Sequence, residues 1–212
     1  MTPYQRIIQY LDDDVGRDDL KAAGIYDRRI QRSLLKYHRK EFWARDIVED
    51  IIAYTDTSLS IQEIDLRNLA RFRKLAYLRD FDPNAVNNNT NPPTMGLAGQ
   101  HFTEISLPFS VDYFGYDKTF VYYRAGEILR LRSDTRMKNS LIGYFIDPLL
   151  EPVANVNSWL ADLYPDLIAA DVKVKIFGDI GKDDEKKDSK DERAESELTL
   201  FANNLYVSYQ KG

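Results

Sequence analysis

The chain has 212 residues, 29 Lys+Arg against 34 Asp+Glu, a formal net charge of -5, no cysteine, and only two histidines, His38 and His101. This excludes a disulfide framework, a Cys-type zinc or iron–sulfur site, a three-His site and a thiol nucleophile. No apolar run approaches the ~20 residues of a membrane helix, and MTPYQRIIQYLDDDV does not read as an export signal, so a soluble chain in a reducing compartment is expected.

Thr2-Pro3-Tyr4-Gln5 supplies a capping residue, a proline at the first helical position and a glutamine that completes a capping box. Tyr4, Ile7, Ile8, Leu11 and Val15 follow at helical spacing, and Gly16 ends the pattern. Asp12, Asp13 and Asp14 are consecutive, so they point in different directions and read as a solvated helix end rather than a metal site. Residues 18–41 form a second helical region, broken at Gly24. Its stripe is Tyr26, Ile30, Leu34 and Tyr37, widened by Leu35. The other faces carry Arg28, Arg29, Arg32, Lys36, Arg39 and Lys40, the most basic stretch of the chain. Such a face is solvated, meets a phosphate backbone, or meets an acidic neighbouring subunit. His38 has no nearby carboxylate pair, and no ligand role is expected of it.

From Phe42 to about Asp80 the period changes to short strand-like pieces, with 41–54 alternatively a helical extension, and 71–81 alternates as a strand. The stretch 81–100 is so rich in Asn, Pro and Gly that a long loop is predicted. Residues 118–123, a turn at Ala125-Gly126, 127–132 and 140–146 predict three consecutive strands, an antiparallel meander.

After Pro152 helices return. Asn157-Ser158 is placed to cap a short helix carrying Trp159, Leu160 and Leu163. Pro165 opens another through Leu167, Ile168, Val172 and Ile176, stopped by Gly178 and Gly181. In 181–197 the first half reads as a mobile charged loop and the second as a helix start. Leu198, Phe201 and Leu205 form a last stripe, and the tail 205–212 reads either as a strand to be added to another chain or as a frayed end. The expected fold class is α+β: a helical bundle body, 1–41 and 153–212, with an inserted antiparallel β domain, 42–152, a meander or small sandwich bearing the 81–100 loop.

No phosphate loop, dinucleotide fingerprint, nucleophile elbow or zinc-protease motif occurs. A glycosidase-type carboxylate pair drawn from Glu104, Asp112 and Glu127 is the one enzymatic alternative, and 34 acidic residues supply such pairs by chance. The reading is a structural or binding protein, with no catalytic residue, metal or cofactor.

Four segments stand out in order: LARFRKLAYLRDFD (69–82), FTEISLPFSVDYFGYDKTFVYYRAGEILRLRS (102–133), LIGYFIDP (141–148) and SWLADLYPDLIAADVKVKIF (158–177). Taken together they resemble the head-to-tail adaptor proteins (tail accessory or gatekeeper proteins) of tailed, especially short-tailed, bacteriophages. The likeness covers about residues 60–210, and its words are structural rather than catalytic. It implies a virion neck protein assembled in the bacterial host cytoplasm: a homo-oligomeric ring, typically of twelve copies, joining the portal protein to the tail nozzle or hub. Genomic DNA would pass through the ring without sequence-specific binding, and no membrane is involved. On that footing Phe201, Leu205, Tyr206 and Tyr209 are candidates for portal docking, and Asn88, Asn91 and Met95 for nozzle or hub contact. Arg28, Arg32, Lys36 and Arg39 are candidates for a subunit boundary rather than the DNA channel. A nozzle or tail-completion protein is the alternative within the same class.

Overall fold

A computed structural model describes residues 1–56, 61–87, 94–105, 119–133, 138–147 and 158–209. The fold is α+β, and the chain divides into two compact units, Met1–Arg45 with Pro148–Gly212, and Asp46–Asp147.

Six α-helices of the first unit are described. They are α1 (Pro3–Val15), α2 (Asp18–Ala22), α3 (Ile25–Lys40), α4 (Trp159–Leu163), α5 (Pro165–Asp179) and α6 (Asp183–Tyr209). The capping box is formed: the Thr2 hydroxyl accepts from the Gln5 amide at 3.2 Å, and the Gln5 side chain accepts from the Thr2 amide at 2.8 Å. α5 is central, with α1, α3, α4 and α6 packed against it. It is buried nearly all round, through Leu167, Ile168, Val172, Ile176 and Phe177 among others, as a helix apolar on every face must be. Its neighbours contribute Ile7, Leu11, Tyr26, Ile30, Tyr37, Trp43 and Leu200 to the same core.

Two expectations here are corrected. Gly178 lies inside α5, and the turn falls after it, at Ile180 and Gly181. The charged stretch from Asp183 is helical from its start, not a loop. Asp183, Asp184 and Glu185 occupy the first turn, where carboxylates complement the helix dipole. Lys182 pairs with Glu185 at 3.0 Å, and Lys186 lies along Gly178 of α5. A sequence poor in apolar residues can still be helical when Lys, Glu and Arg dominate it. The helix continues through Tyr209, so 205–209 is not a strand.

Among its described residues the second unit holds two four-stranded sheets. Its strands are β1 (Ile47–Ala53), β2 (Ile61–Asp65), β3 (Phe72–Asn87), β4 (Thr94–His101), β5 (Thr103–Glu104), β6 (Val121–Ala125), β7 (Ile128–Arg132) and β8 (Asn139–Ile146). One sheet runs β1-β8-β3-β4, the other β2-β7-β6-β5. Every pairing is antiparallel except β5 with β6. Both sheets feed one core: Leu78, Ile142 and Tyr144 from the first meet Ile64, Leu129 and Leu131 from the second. Of the two expected arrangements the small sandwich is the one found, and the three-strand meander is corrected. β6 and β7 pair about Gly126-Glu127, but β8 leaves them and inserts between β1 and β3.

The long loop is corrected as well. β3 runs on to Asn87 and β4 starts at Thr94, so the described parts of 81–100 form two paired strands. Pro83 falls within the register shift between Asp82 and Val86, where the ladder asks nothing of its missing amide. Gly96 has φ +93°, which glycine alone adopts without strain, and the Phe81 ring packs on it.

Gly143 is needed for a different reason. Glu49 of β1, Gly143 of β8 and Tyr77 of β3 are in register across the first sheet. The Tyr77 ring lies over Gly143 where a Cβ would stand, and its hydroxyl donates to Glu49 beyond. Gly143→Val should displace the ring and cost about 2–3 kcal/mol, near the upper end of overpacking effects. Urea unfolding followed by circular dichroism checks this, and a loss under ~0.5 kcal/mol, the scale of a neutral surface change, would contradict it.

Candidate assembly surface

Alternation along α3 sorts its residues into two faces. Tyr26, Ile30, Leu34 and Tyr37 are buried, while Arg28, Arg32, Lys36 and Arg39 are exposed. The four candidate boundary residues thus share the outer side of one helix. They are not equivalent. Arg28 donates to the backbone carbonyls of Gly24 and Ala23 at 3.3 Å, which fixes the guanidinium without neutralising it. Lys36 bends inward and donates to Asp171 at 2.6 Å. Beside Arg28 and Arg32 a cavity of about 290 Å³ opens between α3 and the end of α5, floored by Ile25, Ile176 and Ile180.

Asp171 is the centre of a charged seam. Its side chain is wholly buried on α5 and takes Lys36 at 2.6 Å, Lys175 at 2.7 Å and Arg193 at 3.5 Å. Burial by itself would raise this carboxyl, but the bonds from Lys175 and Lys36 outweigh it and hold the group below its ordinary value. The seam continues to Glu197, which accepts from Tyr37 at 2.5 Å and Lys40 at 2.8 Å. Glu197 is lowered in the same way, burial being overcome by Lys40 and Tyr37, and Tyr37 is raised by burial and by Glu197. A buried cation on the same helix, Lys173, holds Asp14 at 2.8 Å and Glu192 at 2.6 Å. Asp12 pairs with Lys21 at 2.5 Å. The aspartate run is thus partly tied down rather than simply solvated. The sequence reading missed Asp171, Lys173, Arg193 and Glu197. The available signal was an aspartate and lysines inside LIAADVKVKIF, a run otherwise apolar on all faces.

The remaining candidates lie as follows. Phe201 is half-buried, its ring 5.5 Å from that of Trp43 and 4.9 Å below the Lys40 ammonium. Leu205, Tyr206 and Tyr209 belong to the last turns of α6. Met95 is on β4, opposite Val86. Asn88 and Asn91 lie outside the described residues. His38 is buried, with Nε2 2.8 Å from the Ser158 hydroxyl and its ring edge-on to Trp159. Ser158 therefore spends its hydroxyl on His38 and makes no side-chain cap to α4.

The carboxylate-pair alternative gains nothing from the geometry. Glu104 stands beside Tyr122, and Glu127 sits in the turn beyond Ala125, three strand residues or roughly 10 Å further along. Asp112 lies outside the described residues. Among the described residues, no group of three or more His, Asp or Glu side chains is placed to hold a metal ion, and no helix is long and apolar enough to cross a membrane.

No protein-family model matches the chain, and no curated protein matches it.

Proposed function

We propose that this protein is a head-to-tail adaptor of a tailed bacteriophage, a ring component joining the portal to the tail nozzle or hub and conducting DNA between them. The observation that carries the proposal is the order of the resembling segments and their place in the fold. The segment 158–177 supplies α4 and the central helix α5 of a unit built from both ends of the chain, with the strand-rich segments in the inserted unit between. The exposed cationic face of α3 suits a contact between subunits. A net charge of -5 suits a conduit that must not hold DNA by non-specific attraction to phosphate.

Gradient sedimentation tests this. Mixed with the portal protein of the same genome, the chain should move with the portal ring in a fixed multiple. Failure to co-sediment across protein concentration and salt would overturn the proposal. Binding to an isolated nozzle or hub protein but not to the portal would instead favour the tail-completion alternative.

A further inference from the structure

We infer that copies of this chain assemble head to tail, with the outer face of α3 in one copy lying parallel against the outer face of α6 in the next. The inference rests on the ring of the adaptor reading and names the surfaces that close it.

The first observation is charge. The exposed side of α3 carries Arg28, Arg32 and Arg39. On α6, Ser189 and Leu200 are buried, and the opposite side carries Asp184, Asp188, Asp191 and Glu195, all exposed, with Lys187 and Lys190 to one flank. Among the described residues Arg32, Asp184, Asp188 and Asp191 take part in no ion pair. Like charges three and four residues apart repel along a helix. The two ladders are opposite in sign. Both point away from the chain's own core, so a second copy is needed to bring them together.

The second observation is spacing. Arg28, Arg32, Leu35 and Arg39 follow one another at steps of four, three and four residues along α3, and so do Asp184, Asp188, Asp191 and Glu195 along α6. This is the alternation that keeps two facing helices in contact along their length. Laid parallel, it sets Arg28 against Asp184, Arg32 against Asp188 and Arg39 against Glu195. An exposed apolar side chain lies just past each paired stretch: Phe42, beyond the end of α3, is 42% exposed, and Leu198 is 71% exposed, more than any other large hydrophobic among the described residues except Met1.

The third observation is level. Within one chain Lys40 pairs with Glu197, while Lys36 and Arg193 both reach Asp171. α3 and α6 therefore run parallel, with Lys40 level with Glu197 and Lys36 level with Arg193. The register between copies, Arg39 to Glu195, is within one residue of the same level. A neighbour reached by rotation about an axis along the helices, with no rise, satisfies it. That is the condition for a head-to-tail interface to close as a ring rather than climb as a filament.

The absence of native cysteine makes the test direct. Arg28→Cys with Asp184→Cys, oxidised with copper phenanthroline both free and on the portal, should give a ladder of covalent oligomers beyond the dimer. Arg28→Cys with Glu195→Cys, which an antiparallel pairing would join, should give no more than the single-cysteine variants. Adding Arg32→Glu should reduce the ladder at least tenfold, and adding Asp188→Arg in the same chain should restore it. The substituted positions are exposed, and circular dichroism verifies folding. No ladder in either setting, a product that stops at the dimer, equal ladders from both cysteine pairs, or no restoration by the charge swap would overturn the inference. Loss of the ladder with portal co-sedimentation intact would discard only this helix pairing. A ladder without portal binding would discard the adaptor reading and leave the pairing standing.

Discussion

Asp171→Ala should lower unfolding stability by about 3 kcal/mol, the low end of the range for breaking a buried charge group from one side. The carboxylate is wholly buried and ties Lys36, Lys175 and Arg193 together, so its removal leaves three cations facing one another. The cost is not higher because those partners are 29% to 40% exposed and can turn to water. A second readout separates charge from packing. The folded-state values of Asp171 and Glu197 are lowered, so their contribution is present above the unfolded values and lost as pH falls through the folded ones. Stability of the natural chain should decline on acidification below about pH 4, where unfolded carboxylates take up protons. The decline should be shallower in Asp171→Ala. Urea midpoints at pH 7 and pH 3 measure both effects. Equal pH slopes would show that the seam is electrostatically idle.

Trp43→Ala should cost about 3–5 kcal/mol, as expected for removing a buried tryptophan. Trp43 is fully buried, and its ring meets those of Trp159 at 5.8 Å and Phe201 at 5.5 Å. Its indole N–H donates to the Tyr37 carbonyl at 2.7 Å, one of the carbonyls the last turn of α3 leaves without a helical partner. Trp43→Phe keeps much of the ring and loses the bond, so roughly 1–2 kcal/mol is expected. The remaining Trp159 reports unfolding by fluorescence. A Trp43→Phe cost as large as that of Trp43→Ala would mean the hydrogen bond outweighs the ring packing.

Local signals were legible where a single element's chemistry decided its form. Thr2 and Gln5 announce the capping box, Gly24 divides α2 from α3, and Pro165 opens α5. What escaped depends on partners distant in sequence. A row of Asn, Pro and Gly breaks a strand only if the ladder cannot absorb it. In the described parts of 81–100 the register shift around Pro83 and the Phe81 ring over Gly96 absorb one proline and one glycine. The periodicity of 140–146 identifies a strand but not its neighbours: chain order suggests β7 as the partner of β8, whereas the sheet sets it between β1 and β3. Charge along 183–188 hid a helix whose inner side rests on α5 through Lys186 and Ser189. Of the candidate surface, the basic face of α3 was visible from spacing. The inward turn of Lys36 was not, because it is set by an aspartate 135 residues away.

Electron microscopy of the purified protein bound to the portal ring of the same genome tests ring closure at the head-to-tail junction. A closed ring of this chain is expected, coaxial with the portal and leaving an open channel, with α3 of each copy beside α6 of the next. A bare portal ring, or isolated copies bound without lateral contact, would contradict it.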